Sequence, residues 1–203
     1  MEFLIIFICS LFNMVSSICF SLLNNIFHKN FDTLSSILII ISSFILIIYL
    51  KKLKEKFKLS QFNKAFIFSL ITLILDVILL IIVSNTNITN NNILSILTLL
   101  SSFFIIFLAL YANSILSSGI SKLYKEKSNN IMFLKAETIS KYFLKIFIFI
   151  IIYFVLLIFA AIVSNTLLII LLIAILVFMF FALYVQISFL KLLWDCHKVF
   201  DTK

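Results

Sequence analysis

The chain has 203 residues, of which 64% are hydrophobic and 12% are charged, and its formal net charge at pH 7 is +8. A soluble domain normally has about a quarter of its residues charged, so the composition excludes an ordinary soluble fold. The apolar residues come in runs of ~18 or more, which match the hydrocarbon thickness of a bilayer. We therefore predict one all-α domain, a polytopic transmembrane helical bundle, because barrel strands would alternate in polarity.

In chain order, the apolar runs predict six spans at residues 3–23, 34–50, 65–83, 93–116, 146–163 and 167–190. No basic region precedes the first run and no small-residue cleavage site follows it, so we interpret it as a retained anchor rather than a signal peptide. Residues 131–145 carry one apolar and one charged stripe. This pattern predicts an additional helix along the cytoplasmic interface, capped by Asn129 or Asn130.

The positive charge consists of lysine alone and is distributed unevenly along the chain. Fifteen of the sixteen lysines fall in the segments 51–64, 122–145 and 191–203, and Lys29 is the exception. Short lysine-rich loops stay in the cytoplasm, so we predict a multi-pass protein of the cell membrane with both termini cytoplasmic. The densest group is expected to contact anionic lipid headgroups, or only to set the topology: Lys51, Lys52, Lys54, Lys56 and Lys58.

Asp76 is the only ionisable residue deep inside a predicted span. It lies ~16 Å along the third helix and therefore close to the bilayer midplane. A carboxylate at that depth costs ~3 kcal/mol to insert, so it should face the bundle. Two interpretations stay open: a proton or cation relay, or a neutral acid hydrogen-bonded to Ser69, Thr72 or a neighbouring helix.

Three amide side chains are the other strongly polar groups within or near the spans: Asn13, Asn113 and Gln186. They could line a pathway with Asp76, and we take Asp76, Asn113 and Gln186 as the candidate relay. Alternatively, such amides bridge neighbouring helices and stabilise their packing. The single glycine and the absence of proline exclude proline kinks and nearly exclude close crossings mediated by glycine.

The densest group of metal-ligand side chains is Trp194-Asp195-Cys196-His197. A metal site needs more ligands brought together, and the other histidine, His28, is predicted on the opposite side of the membrane. The sequence also lacks paired carboxylates, a Ser/His/Asp group and a glycine-rich phosphate loop. We therefore predict no metal, no cofactor, no nucleic-acid partner and no enzymatic activity.

Three stretches resemble an uncharacterised archaeal membrane family, domain of unknown function 996. They are the aliphatic helix 38–58, the motif Lys122-Leu123-Tyr124-Lys125-Glu126-Lys127 followed by 133–136, and the closing hairpin that ends at Ser188-Phe189-Leu190. The family pattern is rich in glycine within its helices, and Ser, Ala or Ile stand in those places here. The resemblance implies a multi-span membrane protein and no particular activity.

Two classes of function remain open. The first is a non-enzymatic membrane component that acts through helix packing or partner binding, with a membrane protein or a second copy as its partner. The second is a transporter or permease subunit in which Asp76 couples proton or cation movement. The paucity of polar side chains and the absence of broken-helix signals argue against the second class. The placement of Asp76 relative to the three amides discriminates between them.

Overall fold

The computed structural model describes residues 1–27, 32–85, 92–163 and 165–201. Within these ranges the chain is helical and contains no strand, which confirms the predicted helical bundle. The elements are α1 (Glu2–Phe27), α2 (Asp32–Phe57), α3 (Ser60–Asn85), α4 (Asn92–Glu126), α5 (Asn130–Val163), α6 (Asn165–Cys196) and a π-helical turn (His197–Asp201).

Among the residues that the structure describes, four helical segments are long and apolar enough to cross a membrane: Leu34–Phe57, Ser60–Val83, Leu100–Glu126 and Ile173–Asp201. A shorter apolar segment, Glu2–Ser16, lies in α1. The first and fifth predicted spans extend beyond the side chains that the structure describes, which stop at position 16 in α1 and at position 156 in α5. The structure thus supports a helical membrane protein, and the count of six spans stays a prediction.

Residues 131–145 do not form a separate helix. They are the first part of α5, which continues without interruption to Val163. The expectation of a distinct interfacial helix is therefore corrected. The apolar stripe of Ala136, Ile139 and Phe143 is buried within the bundle, so it packs on other helices rather than on lipid. The predicted cap is confirmed at Asn129, whose Oδ1 accepts a hydrogen bond of 3.1 Å from the Met132 amide.

The helices form a ring in chain order. Each one packs chiefly on the helix before it and the helix after it, and α6 returns to pack on α1. The two chain ends consequently meet, with the Met1 amino group 2.9 Å from Asp201 Oδ1. The three predicted lysine-rich segments also lie at this end of the bundle, which we call the lysine end. Lys29 and Lys203 are outside the described residues.

The buried core lies at the lysine end rather than in the middle of the bundle. Its members come from the start of α1, α3 and α5 and from the end of α2, α4 and α6, and they include Phe3, Leu53, Phe62, Tyr124, Phe143 and Phe189. At 35 and 34 residues, α4 and α5 are ~50 Å long, which exceeds the ~30 Å of bilayer hydrocarbon. Because lysine side chains are costly in hydrocarbon, we infer that the lysine end is the part that extends beyond it, where water drives apolar burial.

Gly119 lies at a close contact between α3 and α4. A Cβ atom built on Gly119 would approach Cε1 of Phe62 to 2.9 Å and Cβ of Gln61 to 3.2 Å. The contact is made to side chains of α3, so the expectation that glycine-mediated close helix crossings are nearly excluded is not contradicted. Because glycine has no Cβ, it leaves room at this position for the fully buried ring of Phe62.

Candidate functional site

A polar cavity of about 210 Å³ lies inside the helix ring. Among the described residues, side chains of α1, α2, α3, α4 and α6 contribute to its wall. Its polar side chains are Ser10, Asn13, Ser43, Ser69, Thr72, Asn113 and Gln186. We call this feature the amide cavity. The three amides that the sequence singled out are thus brought together rather than scattered over the bundle.

The amides in this cavity retain unused hydrogen-bonding capacity. Asn13 Nδ2 donates to Ser43 Oγ at 3.4 Å, whereas the buried Oδ1 of Asn13 has no protein partner in the described part of the chain. The side-chain amides of Asn113 and Gln186 likewise make no hydrogen bond to another described residue. Buried polar atoms normally find a partner in protein or water, so this lining is suited to holding water or a polar ligand.

Asp76 does not line the amide cavity. It lies in a neighbouring cavity of about 200 Å³ between α2 and α3, where Ser36 supplies the other polar side chain. Thr72, which lines the amide cavity, is one helical turn before Asp76, so the two cavities follow each other along the same α2–α3 seam. Of the predicted relay, Asn113 and Gln186 share one site, and Asp76 lies beside it.

The carboxylate of Asp76 forms no ion pair or hydrogen bond with any residue that the structure describes. Thr72 donates its hydroxyl to the carbonyl of Phe68 in its own helix, at 2.8 Å, rather than to Asp76. The interpretation of Asp76 as an acid satisfied by Ser69, Thr72 or a neighbouring helix therefore receives no support from the described contacts. A half-buried carboxylate beside a polar cavity can attract a cation or exchange a proton.

A packed apolar layer separates the amide cavity from the lysine end. One or two helical turns from the cavity lining lie Leu50, Leu53, Phe62, Leu116 and Phe189, each at most 3% exposed. We call this layer the seal. Side chains packed this closely leave no room for a water-filled path, so the cavity is closed toward the lysine end in this conformation.

The five lysines predicted to contact lipid differ in their surroundings. Lys56 is held by the protein, with its Nζ 2.9 Å from Glu2 Oε2. Lys52 and Lys54 place their ammonium groups over the rings of Tyr49, at 4.4 Å, and Phe66, at 5.3 Å. The exposed Lys51 and Lys58 have no partner among the described residues. Contact with anionic lipid stays a prediction for this group.

The residues Trp194 to His197 do not form one metal site, although the rings of Trp194 and His197 lie 5.6 Å apart. Asp195 pairs with Lys135 at 2.9 Å, and His197 Nδ1 lies 3.2 Å from Asp201 Oδ2. Cys196 is fully buried in the core. In the described ranges no three His, Cys, Asp or Glu side chains are grouped as a metal site would require, and His28 lies outside those ranges.

Sequence reasoning named Ser69 and Thr72 only as partners of Asp76, and it missed Ser10 and Ser43 of the amide cavity. Ser69, Thr72 and Asp76 follow one another at spacings of three and four, which places them on one face of α3. The contributions of Ser10 and Ser43 depend on how α1 and α2 rotate in the ring. That rotation is a property of tertiary packing and has no comparable pattern in the sequence.

The helical bundle and its apolar segments define the protein as a helical membrane protein. No family model, no curated protein and no solved structure matches the chain. The resemblance to the family of domain of unknown function 996 therefore rests on the quoted residues alone and stays a prediction. The polar interior of the ring is the feature from which a function can be argued.

Proposed function

We propose that this chain is a non-enzymatic, six-span protein of the cell membrane that conducts or carries a small cation or proton through its helix ring. Both termini and the lysine end face the cytoplasm in this proposal. The observation that supports it is the convergence of Asn13, Asn113, Gln186 and four hydroxyl groups on one interior cavity. The same residues scattered over the bundle would instead favour a role in packing.

The lining chemistry favours a cation over an anion. Amide and hydroxyl oxygens can replace the hydration shell of a cation, as carbonyl oxygens do in selectivity filters. No lysine is among the described residues that line either cavity, and the carboxylate of Asp76 adds negative charge beside them. At about 30 Å³ per water, the 210 Å³ of the amide cavity corresponds to roughly seven waters or a partly hydrated ion.

The seal determines the side from which we expect the cation to arrive. Because Leu53, Phe62 and Phe189 close the cavity toward the lysine end, we expect the cation to enter from the opposite side. Asp76 and Ser36 line the neighbouring cavity farther from the lysine end. We infer that Asp76 is the first charged group a cation meets and that passage requires the seal to loosen.

Cation flux in reconstituted vesicles tests this proposal. Protein in liposomes is given a potassium or proton gradient, and flux is followed with ion-sensitive dyes for wild type, Asn113→Leu and Asp76→Asn. We expect Asn113→Leu to reduce flux by tenfold or more, because it replaces a polar lining group by an apolar one. Asp76→Asn should reduce flux and lower the preference for cations.

Asn63→Leu is the matched control, since Asn63 lies in α3 near the lysine end and does not line the amide cavity. Its flux should equal that of wild type. Wild-type flux no greater than that of empty liposomes would contradict the proposal, as would unchanged flux in Asn113→Leu.

A second candidate function is that of a partner-binding membrane component. The observation that favours it is an apolar groove of about 290 Å³ between α4 and α5, lined by Phe103, Phe104, Phe107 and Phe147 among others. Such an aromatic surface can accept a helix of another membrane protein or of a second copy. Absence of flux together with a stable dimer, measured by mass photometry in nanodiscs, would favour this candidate.

A further inference from the structure

An open groove runs along the outer face of the ring where α6 closes on α1. Its volume is about 520 Å³. The walls are apolar and come from both helices, with Phe7, Leu11 and Met14 on α1 and Ile187 and Leu190 on α6. At the lysine end the groove terminates at Lys191 and Trp194. The groove therefore passes from an apolar channel to a polar, positively charged mouth within about two helical turns.

The groups at this mouth are available to a ligand. Lys191 is exposed, and its ammonium has no partner in the described part of the chain. The ring of Trp194 packs on Phe7, with 5.4 Å between centroids, and remains 38% exposed. The nearest acid in sequence, Asp195, is engaged by Lys135 of α5. No carboxylate competes for Lys191 among the residues that line the groove.

We propose that this groove binds one anionic phospholipid, with the phosphate at Lys191 and Trp194 and an acyl chain along Phe7, Leu11 and Met14. Charge complementarity selects this occupant, because an apolar groove that ends in an unpaired ammonium matches an anionic headgroup on an apolar tail. The indole N–H of Trp194 supplies a second donor for the phosphate. The expectation that this lipid comes from the cytoplasmic leaflet rests on the proposed topology of the chain.

Native mass spectrometry tests the site directly. The full chain is released from nanodiscs that contain equal amounts of phosphatidylglycerol and phosphatidylcholine, and the retained lipids are counted. We expect wild type to retain one phosphatidylglycerol in preference to phosphatidylcholine. Lys191→Gln should reduce that retention about fivefold, the effect expected for one lysine near anionic lipid. Leu11→Trp, which fills the apolar part and does not line the amide cavity, should reduce retention of both lipids.

Lys51→Gln is the matched control, because Lys51 is also exposed and unpaired but does not line the groove. It should retain phosphatidylglycerol as wild type does. Equal losses in Lys191→Gln and Lys51→Gln would overturn the proposal, and so would equal retention of the two lipids by wild type. Lipid retention is measured without any ion flux. Its result can therefore be interpreted even if the proposed transport function fails.

Discussion

At the residue scale, Gly119 lies at a contact between α3 and α4 that leaves little room for a larger side chain. Replacing it by valine places side-chain atoms against the ring of Phe62, which a Cβ atom alone would approach to 2.9 Å. Overpacking of this kind costs about 1–3 kcal/mol. We expect Gly119→Val to lower the thermal-unfolding midpoint in detergent, followed by the fluorescence of Trp194.

Ser118→Val provides the comparison for that measurement, since Ser118 is the neighbouring position and is only partly buried. It should shift the midpoint less than Gly119→Val. Alanine is a poorer choice at position 119, because its higher helix propensity stabilises the helix by ~1 kcal/mol relative to glycine. That gain would mask the steric cost. A midpoint for Gly119→Val equal to that of wild type would mean that α3 and α4 are not in close contact here.

From the sequence, the important polar residues are easier to identify than the places where they meet in the fold. Asp76, Asn13, Asn113 and Gln186 stand out because strongly polar groups are rare in apolar runs. Their distribution over two cavities depends on helix rotation and on the ring closure between α1 and α6. Neither property leaves a periodic signal, so the amide cavity itself could not be predicted.

At the element scale, serine is the most frequent buried small residue of the described helices, beside Gly119 and three alanines. Seven serines are buried in the described ranges: Ser10, Ser16, Ser42, Ser114, Ser117, Ser121 and Ser140. Small hydroxyl side chains allow close approach of helices and hydrogen-bond across them. Ser114 and Ser140 form such a contact, in which each hydroxyl donates to the other's carbonyl, at 3.0 and 2.9 Å.

A double-mutant cycle on Ser114→Ala and Ser140→Ala measures this α4–α5 contact. Because the two hydroxyls act together, we expect the double variant to be less destabilised than the sum of the single variants. Coupling between membrane helices averages about 0.6 kcal/mol, and the reciprocal geometry here should equal or exceed that value. The free energy of unfolding in mixed micelles gives the result, and additive losses would contradict a direct contact.

Helix positions follow from the sequence better than helix lengths do. The predicted spans 34–50, 65–83 and 93–116 all fall inside observed helices, but α2 and α4 continue to Phe57 and Glu126. Lysine and glutamate are good helix formers, so the charged segments continue the helices beyond the apolar runs. Hydropathy marks the part of a helix that lies in lipid, and it gives no information on where the helix ends in water.

At the scale of the whole molecule, the packed end and the polar interior have different causes. At the lysine end water drives Phe3, Phe62 and Phe189 into a tight core. Within the hydrocarbon there is no such driving force, so large apolar side chains face outward and polar groups are left for the interior. This division produces a ring that is closed at one end and contains a polar cavity next to the seal.

The reaction of an engineered cysteine with a water-soluble thiosulfonate reagent tests most directly whether this cavity is hydrated. Thr72→Cys is made with Cys9, Cys19 and Cys196 replaced by alanine, and the reagent is added outside intact cells. Thiolates form and react only where water reaches them. We expect Thr72→Cys to be labelled from outside. Ala65→Cys, beside the seal, and Ser101→Cys, on the outer face, should stay unlabelled. An unreactive Thr72→Cys, or one labelled only from the cytoplasmic side, would contradict a water-filled cavity that opens away from the lysine end.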